Sequence, residues 1–338
     1  MKTIRLGLLG CGTVGAGFLT LLHRRRHLFE ALGVHLELLP VLVRDPRRQR
    51  EHEHPAVAFT SDPADLAGAD ALVEVMGGTD RPLELVLPAL TAGKPVVTAN
   101  KAMLAERWDH LRDHARAGRL YYEAAVMAGT PVVGPLSTTL RSSAPVALHA
   151  LLSGTCGYIV GRMEGGADYH SALREAQALG YAEDPPTLDV GGWDAAHKLT
   201  VLARLTVDPQ YQFGQVAVQG IEGLDGGLVR RAIAEGKRVK LVGSIVPEAG
   251  GWKAAVRPVL LPATHPLAQA GERACLLYRG DACGTVVLSG GGAGSLVTAS
   301  AVLGDLLDLL SGRPGHLPAP AVAPLPASSV GEGFEAAA

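Results

Sequence analysis

Over the first 130 residues, short apolar runs alternate with longer amphipathic segments. The run Ile4–Gly10 predicts a buried strand that ends at a glycine, and VGAGFLTLLHRRR after it predicts a helix with basic residues in its last turn. His35–Asp45 and Ala69–Gly78 predict further strands, and PLELVLPALTAG predicts a helix that ends near Gly93. This alternation favours an α/β fold with a Rossmann-type, doubly wound parallel sheet.

After residue 130 the pattern changes. Ala172–Gly180 and Trp193–Leu205 predict helices, and the segments KRVKLVGSIVP, WKAAVRPVLLP, CLLYRGD and GTVVLSG predict antiparallel strands. Thr298–Leu310 predicts a final amphipathic helix, and a composition rich in Pro and Ala from Arg313 predicts a flexible tail. We therefore expect a nucleotide-binding domain at 1–130, an inserted α+β substrate and dimerisation domain at 131–288, a return to the nucleotide domain at 289–311, and a tail at 312–338.

Composition narrows the function classes. Hydrophobic residues make up 47% of the chain and charged residues 19%, so a sizeable core is available and a disordered chain is excluded. A net charge of −2 and 4% aromatic residues disfavour nucleic-acid and membrane-surface binding. The four cysteines form no C-x-x-C pair, which fits a reducing cytoplasm. Glycines interrupt both long uncharged stretches, and the first residues lack a signal-peptide cleavage site, so we expect neither a membrane span nor export.

The first predicted strand is followed by a glycine-rich turn. Its residues, Gly10-Cys11-Gly12-Thr13-Val14-Gly15, match G-x-G-x-x-G in the required context between a strand and a helix. Gly10 permits a tight turn, Gly12 lets the backbone approach a pyrophosphate, and Gly15 allows close packing of helix and strand. The helix N-terminus adds N–H donors and a positive dipole. We expect a dinucleotide here, with an unliganded turn as the alternative.

Arg44 stands at the end of the second predicted strand, followed by Asp45 and by Arg47 and Arg48. An arginine there suits the 2′-phosphate of NADP, whereas a carboxylate suits the 2′-hydroxyl of NAD. We expect NADP(H) to be preferred, with NAD also accepted. A solvated charged loop is the alternative.

The most informative segment is GYAEDPPTLDVGGWDAAHK, residues 180–198. Asp194 and Lys198 are spaced i, i+4 on one helix face, and Glu183 and Asp189 bring further carboxylates toward this region. A surface ion pair is the plain alternative. Three observations oppose it: the helix is apolar, the chain has only seven lysines, and the preceding loop is rich in Gly, Pro and acidic residues. A lysine ammonium near carboxylates stays charged and can donate a proton.

At these residues the chain resembles the homoserine dehydrogenases. The resemblance runs from about Ile4 to Leu310 and is carried by GLLGCGTVG, VEVMGG, GKPVVTANKAMLA, YEAAVMAGTPVV, LLSGTCGYI, GYAEDPPTLDVGGWDAAHKL and GGGAGSLVTASAVLGDL. It implies NAD(P)H-dependent reduction of the small molecule L-aspartate 4-semialdehyde to L-homoserine in threonine, methionine and isoleucine biosynthesis. It also implies a homodimer formed through the central domain.

The resemblance implies roles residue by residue. Lys198 matches the proton donor of D-A-A-x-K, and Lys101 matches the T-A-N-K lysine between nicotinamide and substrate. Glu183 and Asp194 match substrate-holding acids, Asp189 an orienting partner, and Thr155 a contact to the substrate carboxylate. The expected cofactor contacts, taken together from the motifs, are Gly10, Gly12, Thr13, Val14, Gly15, Arg44, Gly78, Lys101, Gly180, Gly292 and Gly294.

The resemblance further implies a structural sodium ion held by main-chain carbonyls. The matching positions here are Glu123, Val126, Ala128 and Thr130. Hard cations accept carbonyl oxygens, although a turn without an ion is the alternative. Longer relatives carry a C-terminal ACT domain, and the 28 residues after Leu310 are too few for one, so we expect no threonine inhibition by that route.

Some positions depart from the family pattern. Pro185 replaces an Asp, Gly191 replaces an acid, Cys156 and Gly157 replace Thr-Asn, and VMAGTP replaces a more glycine-rich turn. These departures concern loop geometry and ion affinity more than the chemistry. Two other functions stay open: a dehydrogenase for another semialdehyde or a cyclic imine, and a cofactor-binding regulator without catalysis. The second would predict loss of Lys101 or Lys198, and both are present.

Overall fold

The structure is a computed structural model that describes residues 1–52, 54, 57–325 and 335–336. The strands, in chain order, are β1 (Lys2–Leu9), β2 (Val34–Leu38), β3 (Val41–Leu42), β4 (Phe59–Thr60), β5 (Ala71–Glu74), β6 (Val96–Thr98), β7 (Leu120–Tyr121), β8 (Pro145–Leu151), β9 (Ala217–Val218), β10 (Lys237–Glu248), β11 (Gly251–Pro262), β12 (Ala274–Gly280), β13 (Gly284–Gly290) and β14 (Glu335–Ala336).

The helices are α1 (Thr13–Arg24), α2 (Arg26–Ala31), α3 (Asp80–Thr91), α4 (Lys101–Glu106), α5 (Trp108–Arg116), α6 (Val133–Ser137), α7 (Gly154–Glu164), α8 (Tyr169–Ala178), α9 (Thr187–Val190), α10 (Trp193–Thr206), α11 (Gly226–Ala234), α12 (Pro266–Gln269) and α13 (Ser295–Leu310). Short 3₁₀ turns cover Pro63–Leu66, Glu123–Ala125, Thr139–Ser142 and Phe213–Gln215. Among the described residues, no helix has both the length and the apolar character needed to cross a bilayer.

The chain divides into two units. Unit 1 consists of Met1–Gly134 with Ala293–Pro318, and unit 2 of Pro135–Gly292 with Ala319–Ala338. Unit 1 is interrupted, since the chain leaves it after residue 134 and re-enters it at 293.

Unit 1 is built on an all-parallel sheet. Its strand order is β4-β3-β1-β5-β6-β7, with β2 also pairing β1, so the order reverses beside β1. Phe18 on α1, Val73 on β5 and Leu306 on α13 are fully buried in one hydrophobic cluster. At Gly17 an added side chain would come within 2.5 Å of Ser295 Oγ, so the glycine allows α1 and α13 to pack closely. The doubly wound parallel sheet expected from the sequence is confirmed.

The second predicted strand is interrupted. Instead of one strand over His35–Asp45, β2 ends at Leu38 and β3 begins at Val41. Pro40 lies in the gap, and a proline has no N–H to offer a neighbouring strand. Both pieces still pair in parallel with β1, so the topology is unchanged.

Unit 2 contains a largely antiparallel sheet in the order β13-β12-β8-β10-β11-β14, with β9 pairing β11 in parallel. The hairpin of β10 and β11 is continuous from the pair Lys237 and Pro262 to the pair Glu248 and Gly251. Helix α10 packs on this hairpin, and a side chain at Gly243 would lie 3.2 Å from Leu199 on α10. All four antiparallel segments predicted from the sequence form strands.

The segment predicted as a flexible tail departs from that expectation up to residue 325. His316 and Ala319 are buried, and the main-chain N–H groups of His316 and Ala319 donate to Leu120 and Arg204 respectively. The Trp252 indole donates to the Val322 carbonyl at 2.7 Å. Backbone hydrogen bonds and buried side chains therefore hold this segment despite its Pro/Ala composition. Residues 326–334 and 337–338 of the expected tail lie outside the described residues.

Candidate active site

The glycine-rich turn connects β1 to α1 as expected. Gly10 has a φ of +96°, which favours glycine, and a side chain there would lie 3.0 Å from the Val75 carbonyl. A side chain at Gly15 would overlap the main-chain oxygen of Gly10. At Gly12, the N-cap of α1, an added side chain would meet nothing within 4 Å. Gly10 and Gly15 therefore serve packing, whereas Gly12 presents the helix N-terminus to open space where an anion can bind.

The return segment ends beside this turn. Ser295, the first residue of α13, donates from Oγ to the Thr13 carbonyl at 2.7 Å. Gly294 caps α13 with a φ of +124° and belongs to unit 1. Gly292 belongs instead to unit 2, where a side chain would lie 2.8 Å from the Ala274 methyl group. Of the two glycines, only Gly294 is thus brought to the glycine-rich turn within unit 1.

Arg44 lies two residues past β3 and is exposed. The neighbouring Asp45 is occupied locally: its Oδ1 accepts from the Arg47 N–H at 2.9 Å and its carbonyl accepts from Arg50 Nη2 at 2.9 Å. Arg50, which sequence reasoning missed, lies over the Phe59 ring at 4.9 Å and lowers the pKa of the Cys11 thiol against the larger effect of burial, which raises it. The strand end is therefore cationic, with its carboxylate used in a turn.

A buried carboxylate joins the ends of β5 and β6. Glu74 is fully buried; its Oε2 accepts from the Thr98 hydroxyl at 2.5 Å, and its Oε1 accepts from the Met76 N–H at 2.7 Å and from Asn100 Nδ2 at 3.4 Å. Asn100 Nδ2 also donates to the Gly78 carbonyl at 2.9 Å. Burial raises the pKa of Glu74 to about 7, against the lowering effect of these hydrogen bonds.

Lys101 is the first residue of α4. The N-cap of that helix is Asn100, whose Oδ1 accepts from the Met103 N–H at 3.0 Å. The backbone at Lys101 is therefore fixed by Asn100 on one side and by the helix on the other. Gly78, with a φ of +84°, lies in the turn that Asn100 holds.

In unit 2, Lys198 and Asp194 are brought together on α10. Lys198 Nζ donates to Asp194 Oδ2 at 2.7 Å and to the Leu152 carbonyl at 2.7 Å. The two side chains are only 13% and 21% exposed. The plain alternative of a solvated surface pair is therefore excluded, because the pair is largely withdrawn from water and a third group fixes its orientation.

The loop before α10 is tied to the start of α7. Thr155 Oγ1 donates to the Tyr181 carbonyl at 2.6 Å, next to Gly180, which has a φ of +74°. The Asp189 carboxylate accepts from the Glu183 N–H at 3.0 Å, while the Glu183 side chain is exposed. Because Leu152 lies three residues before Thr155, the same turn contacts both Lys198 and this loop.

One departure from the family pattern has a structural role. Cys156 is buried, and its thiol donates to the Asp189 carbonyl at 3.2 Å. Burial raises the pKa of this thiol to about 12, so it stays protonated at neutral pH. Cys156 therefore supports the loop that presents Glu183 and Asp189.

The segment expected to bind sodium forms a tight loop. Met127 and Ala128 adopt left-handed conformations with φ of 57° and 47°. The Glu123 carboxylate is engaged elsewhere, accepting from the N–H groups of Val132, Val133 and Gly134 at 2.6 to 2.9 Å. Any ion here would therefore rely on main-chain oxygens. Among the described residues no cluster of His, Cys, Asp or Glu is arranged to hold a metal ion.

Three comparisons with known proteins agree. A family model described as homoserine dehydrogenase matches residues 131–307, and a second, described as its NAD binding domain, matches residues 10–124. The homoserine dehydrogenase of Corynebacterium glutamicum is 37% identical over 319 residues, which cover 90% of this chain and 72% of that protein. The chain belongs to the homoserine dehydrogenase family.

Solved structures of homoserine dehydrogenases share the fold. That from Thiobacillus denitrificans has a TM-score of 0.85 at 35% identity, covering 94% of this chain and 77% of that one. A hyperthermophilic archaeal homoserine dehydrogenase in complex with NADPH has a TM-score of 0.77 at 25% identity and covers 93% of this chain and all of that one. The chain is thus an NAD(P)-dependent oxidoreductase whose reaction is the reduction of L-aspartate 4-semialdehyde to L-homoserine, and the expected family and activity are confirmed.

Proposed function

We propose that Lys198 is the proton donor in this homoserine dehydrogenase. An ammonium group has three N–H donors. Two donors of Lys198 bind the Asp194 carboxylate and the Leu152 carbonyl, each at 2.7 Å. Among the described residues these are the acceptors found for Lys198 Nζ, so its third N–H is available to an aldehyde oxygen that gains negative charge during reduction. A donor oriented before the reaction costs little reorganisation when that charge develops. This fixed geometry is the observation that carries the assignment.

The substrate would be held by acidic side chains of the same unit. Asp194 and Glu183 are the carboxylates proposed to pair with its α-ammonium group. Asp189 accepts a hydrogen bond from the Glu183 N–H, which supports its proposed role as an orienting partner of that residue. Thr155, at the start of α7, is the proposed contact for the substrate carboxylate. Its hydroxyl hydrogen is used at the Tyr181 carbonyl, so the contact is proposed to come from its main-chain N–H at the positive end of the helix dipole. Fixing both ends of the substrate would orient its aldehyde.

The preferred cofactor is proposed to be NADP(H), with NAD also accepted. The residues fit such a group: the open N-terminus of α1 at Gly12 suits a pyrophosphate, and the exposed Arg44, beside an Asp45 already used in a turn, suits a 2′-phosphate. When bound, the reduced nicotinamide supplies the hydride that attacks the aldehyde carbon. Gly10, Thr13, Val14, Gly15, Gly78, Gly180, Gly292 and Gly294 remain predicted contacts.

Lys101 is proposed as an electrostatic partner near the nicotinamide. Its backbone is held at the carboxyl end of β6, and ligands of doubly wound sheets bind beyond the carboxyl ends of the strands where the strand order reverses. A positive charge there would stabilise the oxyanion that forms as the hydride arrives.

A sodium ion is proposed at the carbonyls of Glu123, Val126, Ala128 and Thr130. The left-handed backbone at Met127 and Ala128 supports this, because it turns successive carbonyls away from the regular strand direction.

A homodimer through unit 2 and a cytoplasmic location are proposed as well. Val287 on β13 is 43% exposed, which supports a partner on that part of the sheet. Light scattering at several protein concentrations tests the dimer.

One spectrophotometric assay tests the proposal as a whole. L-Homoserine should reduce NADP, and to a smaller extent NAD, at alkaline pH, and sodium should increase the rate relative to choline. No gain of absorbance with either cofactor would overturn the activity. Equal rates with both cofactors would overturn only the proposed preference for NADP. Equal rates with sodium and with choline would overturn only the proposed sodium site.

A further inference from the structure

Glu74 is a fully buried ionisable group to which the proposed reaction gives no role. It is the last residue of β5 and lies in register with Leu9 of β1 on one side and Thr98 of β6 on the other. Its carboxylate therefore lies at the carboxyl end of the two strands next to the glycine-rich turn. Cofactors bind at this position in doubly wound sheets.

The hydrogen bonds of Glu74 connect two turns. Through the Met76 N–H it holds the turn after β5, and through Thr98 and Asn100 it holds the turn after β6. The Thr98 hydroxyl that donates to Glu74 also accepts from the Asn100 N–H at 3.0 Å, and Asn100 Nδ2 reaches the Gly78 carbonyl. One carboxylate thus fixes both turns, and Lys101 follows directly on the second.

We propose that Glu74 is a positioning residue for the reduction: its ionised carboxylate holds the N-cap Asn100, and through it Lys101, together with the Met76–Gly78 turn, in the geometry that serves the nicotinamide. This rests on the proposed role of Lys101. A neutral acid or amide at this position would present a donor to groups that already donate, so one of the three hydrogen bonds would be lost.

The ionisation of Glu74 should therefore be visible in the pH dependence. Because the pKa of Glu74 is raised to about 7, the carboxylate form that accepts three hydrogen bonds is lost as the pH falls below that value. The elements around the carboxylate bring Thr98, Asn100 and the Met76 N–H to it, and among the described residues no charged or titratable side chain contributes to the shift. Burial alone opposes ionisation here.

The test compares Glu74→Gln with Asp70→Asn. Asp70 lies just before the same strand, at its opposite end, and its carboxylate accepts from the Arg5 N–H at 2.8 Å, so it is a matched carboxylate distant from the turns. We expect Glu74→Gln to lower kcat for homoserine oxidation by about tenfold to a hundredfold, as misplacement of a reacting group does, with a much smaller change in KM for homoserine. Asp70→Asn should keep the wild-type kcat.

A purely structural role would not change the pH profile. The profile is measured in the direction of L-aspartate 4-semialdehyde reduction, in which the proposed donor Lys198 acts in its protonated form and so adds no acid limb of its own. In the wild type, kcat should then fall below about pH 7, and in Glu74→Gln this fall should be absent. In the apo protein, ¹³C NMR of labelled glutamate carboxyls should show one resonance titrating near 7 that is missing in Glu74→Gln. An unchanged kcat with a retained acid limb, or no such resonance, would overturn the proposal.

Two further variants separate this proposal from the role of Lys101. If Lys101→Met is slow and the double variant Glu74→Gln/Lys101→Met is no slower, Glu74 acts through Lys101. If Lys101→Met is slow but Glu74→Gln is not, the positioning role fails and the role of Lys101 stands; if Lys101→Met keeps wild-type turnover, the proposed role of Lys101 fails first. Should Glu74→Gln not fold, Thr98→Val keeps the carboxylate but removes its 2.5 Å hydrogen bond together with the bond that the Thr98 hydroxyl accepts from the Asn100 N–H. This variant should lose kcat in the same direction.

Discussion

Lys198 and Asp194 form an ion pair of 2.7 Å on one face of α10 and are only 13% and 21% exposed. Lys253 and Glu248 form a pair of the same length on the β10–β11 hairpin, but there the two side chains are 49% and 56% exposed. The two ion pairs therefore have the same length but differ in how far their side chains are withdrawn from water. An exposed pair exchanges partners with water and contributes little, whereas a largely buried pair that a main-chain carbonyl also holds keeps one orientation.

Replacing Lys198 with Met should remove the proton donor and leave the cofactor site intact. We expect kcat for homoserine oxidation to fall by about a thousandfold, within the range of general acid–base effects at a fully committed group. The affinity for NADPH, measured by fluorescence titration, should change less than about threefold, since the glycine-rich turn is untouched.

The matched control for that variant is Lys253→Met, which breaks an ion pair of equal length away from the proposed site. It should keep wild-type kcat and KM. Near-wild-type turnover of Lys198→Met would contradict the assignment of the proton donor, and an equal loss in both variants would point to general damage of unit 2.

The glycines of the turn after β1 should separate into two kinds. Gly15→Ala would place a methyl group against the Gly10 carbonyl, so we expect a lower melting temperature as well as weaker cofactor binding. Gly12→Ala meets nothing within 4 Å, so the protein should fold with a nearly unchanged melting temperature and bind NADPH about tenfold more weakly, because the methyl group occupies the approach of the pyrophosphate.

Thermal unfolding and fluorescence titration measure both effects on these variants. Gly214→Ala, another glycine with open space around it, serves as a control in unit 2 and should change neither quantity. Wild-type NADPH affinity in Gly12→Ala would mean that the cofactor does not approach this backbone.

Arg44→Ala should reduce the preference for NADP. Arg44 is exposed at the end of β3, and a guanidinium contributes more to binding a 2′-phosphate than a 2′-hydroxyl. We expect the ratio of kcat/KM for NADP to that for NAD to fall by about tenfold, with the value for NAD nearly unchanged. Arg47→Ala tests whether any charge in this loop has the same effect, and an unchanged ratio in Arg44→Ala with a reduced one in Arg47→Ala would reassign the contact.

Local sequence signals predicted the parts of the site that lie within one turn or one helix. The glycine-rich turn was predictable because its residues are neighbours in the chain, and the pair Asp194 and Lys198 because i, i+4 residues share a helix face. The contact of Lys198 with the Leu152 carbonyl spans 46 residues, and no spacing rule reaches that far.

Buried polar networks were not predictable for the same reason. Glu74 occurs in an apolar run, which predicts a strand but does not identify a partner 24 residues away at Thr98. Asn100 did carry a signal, because Asn before a helix is a favoured N-cap. The Pro/Ala-rich segment after Arg313 was misjudged because composition alone does not reveal that one histidine within it is buried.

That histidine, His316, lies among acidic groups of unit 1. Its Nε2 is 2.8 Å from Asp305 Oδ1, and the other Asp305 oxygen accepts from the Glu123 N–H at 2.8 Å. Burial alone would lower the pKa of His316, but Asp305, followed by Glu123 and Asp308, raises it above the ordinary 6.5. Through Asp305, the His316 imidazole therefore ties the C-terminal segment to α13 and to Glu123 at the start of the proposed sodium-binding segment.

A histidine whose folded-state pKa is raised contributes stability that is complete below its unfolded pKa and is lost as the pH rises through the folded value. The difference in melting temperature between wild type and His316→Gln should therefore be largest near pH 6 and shrink as the pH is raised above 6.5.

His149 gives the opposite case, because burial lowers its pKa to about 4. The wild type should therefore lose stability relative to His149→Gln as the pH falls from 6.5 toward that value. Scanning fluorimetry of the three proteins across this range measures both trends. A His316→Gln difference that does not change with pH would show that the imidazole acts through packing and hydrogen bonding alone, without its charge.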